Sequence, residues 1–279
     1  MTASDVLERA YSLAGEGDWE GTAELLLEHL EDFADDPAMH CWLGVAEREL
    51  GLGGAAFERF KRALALEPED PVVLATAGNG IAAFDDPDAE RALRVAALTA
   101  PDLPLARLLY GAYLSREGFL EQALVELTAA RELDPGDAEI MYEVGVAHAL
   151  AGQLDRAADA LADSVRLDPE NGWVRVVFGL VLIEEGRTEE AAGELIAGAR
   201  RRPDDLDAQL AAALATAAAG HEALAYEMLD RARLQSADVD VRLVSNIEER
   251  LEAGPESAEA ALDEDIVPDL LRSRLQERP

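Results

Sequence analysis

The 279-residue chain carries 58 acidic and 24 basic side chains, a formal net charge of −34. A field of that sign repels nucleic acid and anionic membranes and favours a basic partner; the acidity also fits plain solvation in a salt-loving bacterium or archaeon, and the arginine excess over the single lysine, Lys61, fits a GC-rich genome. The lone Cys41 excludes an intrachain disulfide, no run nears the roughly 18–20 apolar residues of a membrane span, and Met1 to Asp5 opens no signal peptide, so a cytoplasmic location is expected.

In chain order, residues 3–36 read as a first pair of amphipathic helices, with Trp19 in the turn. Residues 37–70 and 71–103 repeat the pattern, the latter one residue short near Asp85-Asp86-Pro87. Phe84 to Asp88 gathers acids there without the spacing of a calcium loop, and reads as an N-cap cluster. Residues 104–137, 138–171, 172–205 and 206–239 follow, with no Pro/Gly/Ser-rich linker between them.

The 138–171 segment is the clearest. Its first helix starts after Pro135-Gly136-Asp137, sets Met141, Val144, Val146, Ala147 and Leu150 close to helical spacing, and stops at Gly152. Asp155 is the expected cap of the second helix, which turns Ala157, Ala158, Leu161 and Val165 inward. Asp168 before Pro169 closes the unit, because a residue preceding proline is driven out of the α region. One such hairpin cannot bury both of its apolar faces, so it needs copies on either side.

The copies are in register. Closing prolines fall at Pro68, Pro101, Pro135, Pro169 and Pro203, with gaps of 33, 34, 34 and 34 residues. A glycine ends the first helix at Gly17, Gly51, Gly118, Gly152, Gly186 and Gly220. A small residue recurs within it at Ala10, Gly44, Gly78, Gly111, Gly145, Gly179 and Ala213. The second helix carries a large apolar residue at Leu26, Phe60, Leu93, Leu127, Leu161, Leu195 and Leu229. Small residues let two backbones approach, and the large one fills the seam.

This pattern resembles the tetratricopeptide repeat family over about residues 3–239, as seven repeats. Departures are Arg9, His29, the shortened third turn and Ala237 where proline would fall. The resemblance implies an all-α fold, a right-handed superhelical α-solenoid of helix-turn-helix repeats, with Trp19 as a structural turn aromatic. Residues 240–264 read as a degenerate eighth repeat that caps the array, and 265–279 as an amphipathic tail helix.

The resemblance also places function on a concave wall built by the first helices. Positions expected on it are Tyr11, Asn79, Leu108, Tyr142, Val146, Trp173, Val176, Leu180, Ile183, Leu210 and Leu214. Only Asn79 is reminiscent of the carboxylate clamp of some family members, which argues against a co-chaperone of that kind. A long apolar strip left wet is costly, so the expected function is an adaptor holding an apolar or amphipathic segment, with basic flanks, in the groove from Leu108 to Leu214. Glutamate at Val146 and Leu180 is expected to remove binding without unfolding the array. Competing readings are a groove filled by the chain's own tail, Ile266 to Leu275, residues that pack on one another, and a self-associating scaffold. Arg200-Arg201-Arg202 sits at a helix end, where cations suit the dipole better than a phosphate role would require. The histidines, His29, His40, His148 and His221, lie in different repeats, and no nucleophile elbow, phosphate loop or metal motif is present. No enzyme, cofactor or metal is expected, nor nucleic-acid binding or membrane insertion.

Overall fold

The computed structural model describes residues 2–235 and 241–277, and the regular structure among them is helical, without a strand. The expectation for Ala237 lies outside the described residues. The chain divides into two compact units.

The first unit takes residues 1–117 and 125–133. It holds α1 (Ala3–Gly15), α2 (Trp19–His29), α3 (Pro37–Glu49), α4 (Gly53–Ala65), α5 (Pro71–Ala82), α6 (Asp88–Thr99) and α7 (Pro104–Arg116). The last turns of α8 (Leu120–Leu133) belong to it as well. The second unit takes residues 118–124 and 134–279. Its helices are α9 (Ala138–Leu150), α10 (Leu154–Leu167), α11 (Gly172–Glu184), α12 (Thr188–Arg201), α13 (Leu206–Ala218) and α14 (Glu222–Gln235). Then come α15 (Val241–Glu252), α16 (Pro255–Ala260), a π-helical turn (Ala261–Ile266) and α17 (Val267–Gln276). Within each unit consecutive helices pack as antiparallel hairpins, the all-α repeat architecture expected from the sequence.

The two helices of a hairpin start by different means. First helices other than α7, which starts at Pro104 after Leu103, are capped by a side chain: Asp36, Asp70, Asp137, Asn171 and Asp205 each accept from a backbone N–H within the first turn. Among second helices, α2 is capped by Asp18, which accepts from the Gly21 N–H, whereas α4, α10 and α12 have no side-chain cap and are started by the turn itself. Gly152 sits at φ +70°, and the next N–H, of Gln153, donates back to the His148 carbonyl at 2.9 Å. Gly51 and Gly186 do the same for Leu52 and Arg187, satisfying the carbonyls left orphaned at the helix end. The cap of α10 is therefore Gln153, which makes no side-chain capping bond, and not Asp155. The glycine turn makes a side-chain cap dispensable there.

The shortened third turn uses Asp85, at φ +54°, where the others use glycine. Its acids do hold a cation, the chain's own Lys61, whose Nζ lies 2.9 Å from both Asp86 and Asp88. The Asp88 backbone N–H, together with the Lys61 ammonium, holds the Asp86 carboxyl below the usual carboxylate range. Trp19 packs against two of the hydrophobic clusters of the first unit, a structural role.

The helices of a pair meet at the small–large seam. A methyl group at Gly145 would lie 2.7 Å from Leu161 Cγ, and one at Gly179 would lie 2.6 Å from Leu195 Cγ. In the first unit Gly44 faces Phe60 in the same way, at 2.9 Å. Gly193, on the exposed face of α12, has open space around it. We expect Gly145→Val to destabilise the chain by about 2 kcal/mol or more, because overpacking at the seam outweighs a gain in helix propensity of at most roughly 1 kcal/mol. Gly193→Ala is expected to stabilise by up to about 1 kcal/mol. Denaturant unfolding of the two variants checks both signs.

Candidate functional site

The end of the chain reverses its course. Gly254, at φ +101°, terminates α15, and Pro255 starts α16 at a position where its missing N–H costs nothing. Pro268 then falls inside an otherwise continuous helix. Its ring would collide with the carbonyl four residues back, and the π-helical turn just before it opens the backbone at that point. As a result α16 and the π turn lie on α13, while α17 lies on α11 and reaches α9. Helices α9, α11 and α13 are the first helices of their hairpins, so α17 rests on the wall they form within the second unit.

This arrangement accounts for the burial of the expected groove residues in that unit. Tyr142, Val146, Trp173, Val176, Leu180, Ile183, Leu210 and Leu214 are all buried and share one core with Val267, Leu271 and Leu275 of α17. Val146 and Leu180 are 0% exposed, which corrects the expectation that glutamate there leaves the fold intact. A carboxylate at either position would be a charge in the core without a partner. In the first unit, Leu108 is buried, Asn79 is half-buried and Tyr11 is exposed, its ring 4.6 Å from that of Trp42.

At one edge of the α17 seat the chemistry turns polar. Trp173 Nε1 donates to the Tyr142 hydroxyl at 2.8 Å. The Arg274 guanidinium stands 4.8 Å from the Trp173 ring centre, and that of Arg202 stands 5.0 Å away, both within cation–π range. Arg274 Nη2 donates to Asp205 Oδ1 at 2.7 Å, with the two side chains only 10% and 7% exposed. The same carboxylate accepts from the Ala208 N–H at the start of α13 and from Arg202 Nε at 3.1 Å. A solvent-open cleft of about 530 Å³ runs beside these groups, lined by Arg201, Arg202, Asp205, Asp207 and Arg274 among others.

Sequence reasoning missed this cluster. The available signal was Arg274 itself, which sits three residues after Leu271 and one before Leu275, on the apolar stripe of the tail helix. The arginine run at 200–202 is occupied within the chain: Arg200 pairs with Glu227, Arg201 with Glu170 and Arg202 with Asp205.

The groups with chemical potential elsewhere are held in structural roles. Burial pushes the Cys41 thiol up to about 12, so it carries no thiolate near neutral pH. His40 contacts the Ala34 carbonyl, His148 the Gln153 side chain and His221 the Glu189 carboxylate. Among the described residues no group of three or more His, Cys, Asp or Glu is placed to hold a metal ion, and no helix is long and apolar enough to cross a membrane.

Paired helices with glycine-ended first members, stacked hairpin on hairpin within each unit, define a helical-repeat protein of the interaction-scaffold class. Family models described as tetratricopeptide repeat match residues 7–71, 111–172 and 148–217, more than half of the chain. The chain belongs to the tetratricopeptide repeat family. Among solved structures, the Cut9–Hcn1 hetero-tetramer of APC/C is similar with a TM-score of 0.71 at 17% identity, over 87% of this chain and 48% of that one. PilF of Pseudomonas aeruginosa matches with a TM-score of 0.60 at 17% identity, over 75% of this chain and 96% of its own. A tetratricopeptide repeat protein of Parabacteroides merdae matches with a TM-score of 0.59 at 12% identity, over 91% and 98%. At these identities the likeness shows the fold. No curated protein matches the sequence. Members of the family are protein-interaction scaffolds that are generally non-enzymatic, and this chain is an interaction adaptor in that broad sense.

Leu180→Glu tests the assignment of the wall to the core. It should cost about 3 kcal/mol or more, as expected for a buried charge without a partner, and should appear as a lowered unfolding midpoint in urea.

Proposed function

We propose that the protein is a non-catalytic cytoplasmic adaptor that binds an amphipathic helix on the first-helix wall of its second unit. In this reading residues 3–239 form seven repeats, 240–264 a capping pair and 265–279 a tail that doubles as a resident occupant of the wall. The observation that carries the reading is α17 itself. It is an amphipathic helix whose Val267, Leu271 and Leu275 seat on α9 and α11, so the wall has the width and apolarity such a helix requires. Each of those side chains is worth at most roughly 1.5–3 kcal/mol of burial, and a tethered helix held by three of them can be exchanged for a free one of similar face. The single cysteine, buried and outside any disulfide, suits the compartment.

Leu271→Glu/Leu275→Glu in the full chain is expected to release α17. Amide exchange should then rise across 267–276 while α9 to α12 stay protected. Used as bait in a lysate, the released variant should retain a client that the unaltered chain does not. Elution of that client by a synthetic peptide of residues 265–277 would place it on the wall. If the peptide elutes nothing, the wall serves only the chain's own tail and the adaptor reading fails.

A further inference from the structure

We infer that the client of this wall is an amphipathic helix bearing an arginine in the place Arg274 occupies, three residues after one leucine and one before another. The inference rests on the adaptor reading and adds to it what the wall selects.

The argument starts from where Arg274 lies. A guanidinium on the buried stripe of a helix is unfavourable unless its charge is met. Here the close contacts come from the wall. Asp205, from the start of α13, takes Nη2 at 2.7 Å, and the Trp173 ring of α11 offers its face at 4.8 Å. Asp207 lies at 4.0 Å, a second carboxylate at the mouth of the cleft. The tail's own Glu277 stands further off than Asp205, at 3.5 Å from Nη1. Of the two arginines of α17, Arg272 points away, 72% exposed and paired with Asp269 of its own helix. Shape and charge at this edge of the wall therefore fit a planar cation. Lysine would meet Asp205 as a point charge but could not lay a planar guanidinium along the indole. A partner with this chemistry also suits a chain of net charge −34, whose field draws basic segments toward it.

The test uses the full-length Leu271→Glu/Leu275→Glu chain and a fluorescent peptide of residues 265–277, read by anisotropy. Arg274→Lys in the peptide should weaken binding about tenfold and Arg274→Gln more, while Arg272→Lys should leave it unchanged. Asp205→Asn in the protein, which keeps the α13 cap, should remove the preference for arginine over lysine. Equal affinity for the unaltered and the Arg274→Lys peptides would overturn the inference and leave the adaptor reading standing. No binding of any peptide to a chain that remains folded by circular dichroism would overturn both. Sedimentation of the unaltered chain adds a separate arm: a monomer agrees with an external client, whereas a dimer that the peptide dissociates would make the tail of a second copy the occupant and overturn it.

Discussion

Everything in the second unit depends on how closely two helices can approach at one point in each hairpin. At Gly145 and Gly179 the missing side chain lets Leu161 and Leu195 press against bare backbone. That approach sets the depth at which the second helix lies behind the first. It also leaves the opposite face of the first helix turned away from its partner, so that three successive hairpins supply a wall made only of α9, α11 and α13. The glycine turns serve the same end. By satisfying the helix ends locally, they free the hairpins from any need for side-chain caps at the start of the second helices.

A wall made this way has a solvation problem, and α11 shows how severe it is. From Gly172 to Ile183 every residue but Arg175 is buried. A helix apolar all round must be covered all round. Helices α10 and α12 cover two sides of it, and α17 covers a third. Arg175 marks the remaining direction, where it pairs with Glu194 at 2.5 Å. The return of the tail over the wall is thus demanded by the composition of α11 as much as permitted by the turn at Gly254 and the π-helical opening before Pro268.

Most of the architecture was legible because it is written in local chemistry that recurs. Positive-φ glycines, small–large pairs and closing prolines each act within a few residues, and their recurrence exposes them. What could not be read was which element lies on the wall. Val146 and Leu180 look the same in sequence whether they face a partner, a neighbour or the tail, since all three satisfy an apolar surface. Asp155 misled for the opposite reason: an acid near a helix start is a good cap in isolation, but the glycine turn had already done its work. Two signals were present and unused. One is the all-round apolarity of α11, which implies a cover. The other is Arg274 on the tail's apolar stripe, a polar residue where binary patterning asks for a hydrophobic one.

The energetic roles of the leucines and of the arginine on α17 are different. The aliphatic stripe supplies the attraction but specifies little, since a helix can slide by a turn along an apolar wall and keep much of its burial. A buried ion pair adds little net stability once desolvation is counted. What it does is penalise every wrong register, because a slipped helix would leave the guanidinium inside without Asp205. Asp205 suits this task because its carboxylate is also held by groups outside α17: it accepts from the Ala208 N–H and from Arg202. The acceptor geometry is therefore preorganised by the first turn of α13 and not by the helix it receives. The acceptor thus keeps partners on the wall that do not depend on α17, which is the physical requirement of the exchange of helices proposed above.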